Sequence, residues 1–166
     1  MNKKNSRAAI LKETYKLEKH SEGGWFAEIY TAPFRINGRA LVGSIYFLLD
    51  ENEISHFHQI DCDEIWFYHE GCGLKITVLT EHGESEYFLG GNFENGERHM
   101  AVIPKGAIFA AENLDKDSFT LISCVTTPKF IYDGFRLVAK NEIRNKYPNI
   151  ADEIDYLAYE EFGSEN

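Results

Sequence analysis

Basic side chains and cysteine are both scarce in this chain. Its 166 residues carry 17 lysines and arginines against 27 aspartates and glutamates, for a formal net charge of −10. So acidic a surface repels phosphate backbones and anionic lipid, so neither nucleic acid nor a membrane surface is an expected partner. The densest basic stretch is Lys3, Lys4 and Arg7, which reads as a solvated end. The cysteines are Cys62, Cys72 and Cys124, an odd number with no CxxC spacing. That pattern predicts reduced thiols in a cytoplasmic protein and excludes a disulfide framework. The start, MNKKNSRAAILKE, has no apolar stretch of the kind a signal peptide needs. No apolar run approaches the ~18 residues of a membrane span. There is no phosphate-binding loop and no GxSxG, and Ser55 beside His56 is a sequence neighbour, not a catalytic triad.

What is present is globular: 43% hydrophobic residues and 27% charged ones predict one domain over 1–166, with its core at roughly 10–150. Ser6 caps a helix predicted to run to Leu17. Gly23 and Gly24 mark a turn, and Trp25 to Thr31 reads as a strand. The stretches RALVGSIYFLL, EIWFYHE, LKITVLT, SEYFLGG, HMAVIP, AIFAAE and SFTLISCVTT follow as further strands, with a hairpin signal at EHGE. KNEIRNKYP and ADEIDYLAYEEF read as helices, and FIYDGFRLV as strand-like or irregular. Short strands at regular spacing between terminal helices predict an antiparallel sandwich or barrel.

The chemistry concentrates in ISHFHQIDCDEIWFYHEG, residues 54–71. Side chains alternate along a strand, so His56 and His58 are expected on one face, and Glu64, Trp66 and Tyr68 on one face of the next strand. If the intervening IDCD folds the chain back, two imidazoles and a carboxylate converge. Such a trio suits iron, manganese, nickel or zinc. The metal-free alternative makes His58 a general base, Glu64 its partner and Tyr68 an acid. Glu28 shares a face with Phe26 and Tyr30, and either lines a pocket or faces solvent. Trp66, Phe57 and Phe109 are expected to line a pocket or to be core. His20 and His82 are expected in solvated loops, His69 pointing away from the site, and Cys124 inside a core strand.

The segments EGGWFAEIY (22–30), SHFH (55–58), DEIWFYHEG (63–71) and VIPKGAIFAA (102–111) occur in the order that resembles a small single-domain subgroup of the cupin superfamily. The resemblance implies a mainly β, antiparallel double-stranded β-helix, the jelly-roll barrel. It also implies a pocket between two sheets and a homodimer. Two features depart from the family pattern: Glu64 lies further than usual from His58, and Phe109 stands where the second motif's metal-binding histidine is expected. Three functions follow as expectations. One is an isomerase or epimerase of a sugar-like or polar carbonyl compound, resembling the cupin-fold epimerases of nucleotide-linked deoxysugars. Another is a metal-dependent enzyme of the dioxygenase kind using His56, His58 and Glu64. The third is a non-catalytic module binding a small ligand.

Overall fold

A computed structural model describes residues 6–161. Helix α1 (Arg7–Thr14) starts where the Ser6 hydroxyl accepts the Ala9 N–H at 3.2 Å. The strands are β1 (Glu18–Lys19), β2 (Trp25–Thr31), β3 (Arg35–Ile36), β4 (Arg39–Ala40), β5 (Gly43–Asp50), β6 (Ile54–Ile60) and β7 (Asp63–Gly71). They continue as β8 (Leu74–Thr80), β9 (Gly83–Leu89), β10 (Met100–Ile103), β11 (Ile108–Asn113), β12 (Phe119–Thr127) and β13 (Phe135–Leu137). Helices α2 (Lys140–Lys146) and α3 (Ala151–Ile154) close the chain. The last predicted helix is one turn long and passes into a 3₁₀ turn at Asp155–Leu157. RALVGSIYFLL is two strands, because the chain leaves the β3–β4 hairpin before β5 begins.

Two antiparallel sheets face each other in a jelly roll. The larger has the order β1-β2-β5-β12-β7-β10, the smaller β13-β6-β11-β8-β9. Alternation along each strand builds three apolar layers. Phe47, Leu49, Trp66, Ile76, Phe109 and Ile122 point between the sheets. Leu48 and Leu121, their sequence neighbours, point outward against Ala8 and Leu11 of α1. Leu79, Ile108 and Ala110 point outward on the smaller sheet, against Ile143, Ile154 and Leu157. Each helix therefore covers a sheet face that would otherwise expose apolar side chains.

One irregularity shapes the site. In the β6–β11 pair, Phe109 opposes His58 and Ala111 opposes Ser55, so His56 and Phe57 together oppose Ala110. This is a β-bulge, and it breaks the alternation of faces. Ser55 and His58 both turn inward, while Phe57 turns out into the layer beneath α2 and α3. The expectation that His56 and His58 share a face is overturned by that extra residue.

Candidate functional site

A cavity of about 370 Å³ opens between the sheets. Its wall takes Phe26 and Glu28 from β2, Ile45 and Phe47 from β5, His58 from β6, Glu64 and Trp66 from β7, and Cys124 from β12. The segment Lys129–Tyr132 and the loop carrying His20 and Glu22 complete it.

The His20–Glu22 loop reaches the cavity because two glycines let it. Gly23 has φ +109°, and a Cβ there would lie 2.0 Å from the Ile54 carbonyl oxygen. Gly24 has φ +74°, and its Cβ would press on the Phe47 ring at 2.7 Å. Only glycine adopts these conformations at such close approach. The Glu22 carbonyl then accepts the His56 backbone N–H at 2.8 Å and the His56 Nδ1–H at 2.7 Å, which staples the loop to the bulge. Tyr159 stacks on the His56 ring at 3.9 Å between centroids and donates to Ser21 O at 3.1 Å, holding the loop from outside.

This arrangement delivers the Glu22 carboxylate into the interior. Oε1 accepts the Ser55 hydroxyl at 2.7 Å. Oε2 lies 3.3 Å from His58 Nε2 and 3.2 Å from His20 Nδ1. His58 Nδ1 must carry a hydrogen, because it sits 2.7 Å from the carbonyl oxygen of His56. Its Nε2 therefore holds a lone pair when the ring is neutral, and the contact with Glu22 is favourable only with a shared proton between them. His20 Nδ1 chooses between two partners. It accepts the Glu22 backbone N–H at 3.3 Å when bare, and donates to Oε2 when protonated.

The electrostatics split the two buried carboxyls. Burial alone would raise the Glu22 pKa, but the charge of His58 and the bonds from His20 and Ser55 outweigh it and hold Glu22 below the usual carboxylate value. Glu64 has no such support. Burial, and then the negative charge of Glu22, push it up to about 7, with Trp66 and Cys124 pulling the other way. The Trp66 indole N–H is buried near that carboxyl and has no partner in hydrogen-bond geometry. Burial disfavours charge on His58 and the Glu22 carboxylate favours it, so the proton belongs to the His58–Glu22 pair as a unit. For His20 burial lowers the pKa, but Glu22 more than compensates and the net shift is upward.

The other expected site residues fall differently. The partner of His58 is Glu22, not Glu64, since the loop and not the neighbouring strand brings the nearer carboxylate. Tyr68 is outside the cavity lining: it lies two residues along β7 from Trp66, its hydroxyl donates to Gly71 O at 2.7 Å, and its ring stacks on His99. Phe57 faces the helices. Phe109 is fully buried behind His58, with centroids 4.1 Å apart, and supports that ring without lining the cavity. Trp66 lines it as expected, and Glu28 stands at its edge, half-exposed and bonded to Lys129 and Thr31. The His20 side chain is only 7% exposed, contrary to the solvated-loop expectation, while His82 is exposed. Sequence reasoning missed Glu22 and His20. The available signal was a carboxylate two residues after a histidine and directly before the paired glycines.

A transition metal on His56, His58 and Glu64 does not fit these positions. The ring of His56 packs on Tyr159 with Nδ1 bonded to Glu22 O, away from the cavity. Among the described residues no group of three or more His, Cys, Asp or Glu side chains is arranged to hold a metal ion.

Several known proteins are similar to this chain. Protein SO0799 from Shewanella oneidensis is 33% identical and superposes with a TM-score of 0.89 over 94% of this chain and 99% of its own. A hypothetical protein from Leishmania major is 26% identical, with a TM-score of 0.86 over 93% of this chain and all of its own, 100%. The uncharacterized protein YML079W of Saccharomyces cerevisiae is 28% identical, covering 87% of this chain and 82% of its own. Oxalate decarboxylase of Bacillus subtilis, at 17% identity and a TM-score of 0.56 over 87% of this chain and 38% of its own, shares the fold alone. The sequence pattern of one family, described as Cupin superfamily (DUF985), matches residues 10–138, and the chain belongs to that family.

Proposed function

We propose that this cupin-fold protein is a small-molecule acid–base enzyme, an isomerase or epimerase acting on a polar carbonyl compound. The observation that carries the reading is the pair of buried carboxyls in one aromatic-walled cavity, Glu22 held ionised and Glu64 held up to about 7. Carboxyls whose environments drive their pKa values apart divide naturally into base and acid. In this reading the Glu22 carboxylate and its two imidazoles take a proton from the carbon beside the carbonyl. His58 and His20 spread the proton and its charge across the network. Glu64, in its protonated form, gives its proton to the carbonyl oxygen, leaving an enediol. A proton returns to the other carbon, or to the other face, as Glu64 takes back a hydroxyl proton of the enediol, which completes isomerisation or epimerisation and regenerates both groups. Ser55 fixes one carboxylate oxygen, and Phe109 fixes the His58 ring.

The test is hydrogen exchange from solvent. Aldoses, ketoses and other α-hydroxy carbonyl compounds are incubated with the protein in D₂O and followed by proton NMR. Loss of the proton beside the carbonyl, abolished in Glu64→Gln, supports the reading. Tight binding of a carbonyl compound with no exchange in any of them would leave a ligand-binding module and sink the enzyme.

The three free thiols suit a reducing, cytoplasmic setting. Ile29, Tyr30, Phe34 and Ile36, exposed around β2 and the β3–β4 hairpin, suit a homodimer contact, which light scattering would test.

A further inference from the structure

The charges around the cavity sort the ligands it can hold. Among its lining residues Lys129 is the one lysine or arginine. That cation is already engaged: its Nζ lies 2.6 Å from Glu28 Oε2 and donates to Thr31 Oγ1 at 2.6 Å. Its stem runs over Gly43, where a Cβ would stand 2.6 Å from Lys129 Cγ. The other basic groups of the lining, His20 and His58, both face Glu22. A phosphate entering here would meet the carboxyls of Glu22, Glu28 and Glu64 and find no unpaired cation among the described lining residues. In a poorly solvated space like charges repel strongly, and the chain's net charge of −10 adds to that field.

Size and shape narrow the class. A volume of about 370 Å³ holds roughly twelve water-sized groups, the scale of one monosaccharide. Phe26, Phe47, Trp66, Phe130 and Tyr132 offer flat apolar faces to the C–H side of such a ring. Glu22 and Glu64 offer oxygens to its hydroxyls.

We propose that the cavity takes a small hydroxylated carbonyl compound of monosaccharide size that carries no negative charge, and rejects its phosphorylated and nucleotide-linked forms. This specificity rests on the acid–base reading above, and separates the chain from epimerases of nucleotide-linked sugars.

The test is calorimetric titration of the full chain with D-glucose, D-xylose and D-fructose, beside glucose 6-phosphate, fructose 6-phosphate and UDP-glucose. At least one free sugar should bind, with its phosphate ester weaker by tenfold or more. Glu28→Gln, which frees Lys129, should narrow that gap by improving the phosphate ester. The proposal is overturned if no free sugar binds, or if a phosphorylated or nucleotide-linked sugar binds as tightly as its neutral counterpart. Selective binding of a free sugar without solvent-hydrogen exchange would sink the acid–base reading and leave the charge selection standing. Exchange catalysed on sugar phosphates alone would do the reverse.

Discussion

The Nε2 atom of His58 stands 3.3 Å from Oε2 of Glu22, a contact that joins the bulged strand β6 to the loop before β2. The other His58 nitrogen is committed to a backbone carbonyl, so this contact needs a proton to be favourable.

Glu22→Gln removes the charge between the two imidazoles. Turnover should fall on the order of 10²–10⁴-fold, the usual worth of a positioned acid–base group. The His20 pKa, raised by Glu22 against its own burial, should drop below the ordinary histidine value. Proton NMR of the histidine ring signals against pH checks this.

Glu64 makes a prediction about stability. Its pKa is near 7 in the folded chain and about 4.5 when unfolded. Between those values the folded state binds more protons, so stability falls as pH rises through this window. Glu64→Gln cannot ionise and should escape that loss, gaining about 3 kcal/mol over the native chain above pH 8. Urea unfolding at pH 5 and pH 9 should show the gap open only at the higher pH. If Glu64 is the acid, turnover also declines above about pH 7.

Gly23→Ala puts a Cβ into the Ile54 carbonyl at φ +109°. The loop should detach or the chain lose more than about 1 kcal/mol, since alanine is strained there and the bond to the His56 N–H is disturbed. Thermal denaturation reads the second outcome, and the His20 and His58 NMR signals the first.

Tyr68→Phe separates the sequence expectation from the structure. The hydroxyl donates to Gly71 O, so its loss should cost about 1 kcal/mol of stability. Turnover should stay within about twofold, because an acid absent from the cavity contributes none of the rate that a positioned acid supplies. A hundredfold fall would return Tyr68 to the reaction.

The sheets were legible in the sequence because alternating patterns and turn residues are local. Trp25–Thr31 and the strand around Trp66 stand where the pattern puts them. His58, Glu64 and Trp66, singled out within residues 54–71, line the cavity. Two things were not legible. One extra residue in β6 reverses the face of everything beyond it, and no composition marks it. The Glu22 contact is made across the fold by a loop, where glycines read as a turn and not as the means of close approach. The trio of His56, His58 and Glu64 followed from strict alternation, and failed where alternation did.

The most direct measurement is carbon-13 NMR of the glutamate side-chain carboxyls across pH. One carboxyl should titrate near pH 7, be lost in Glu64→Gln and shift down in Glu22→Gln as the neighbouring charge disappears. The Glu22 signal should titrate below the ordinary range. If every glutamate titrates together near the ordinary value, the two carboxyls are not divided, and the acid–base site is contradicted.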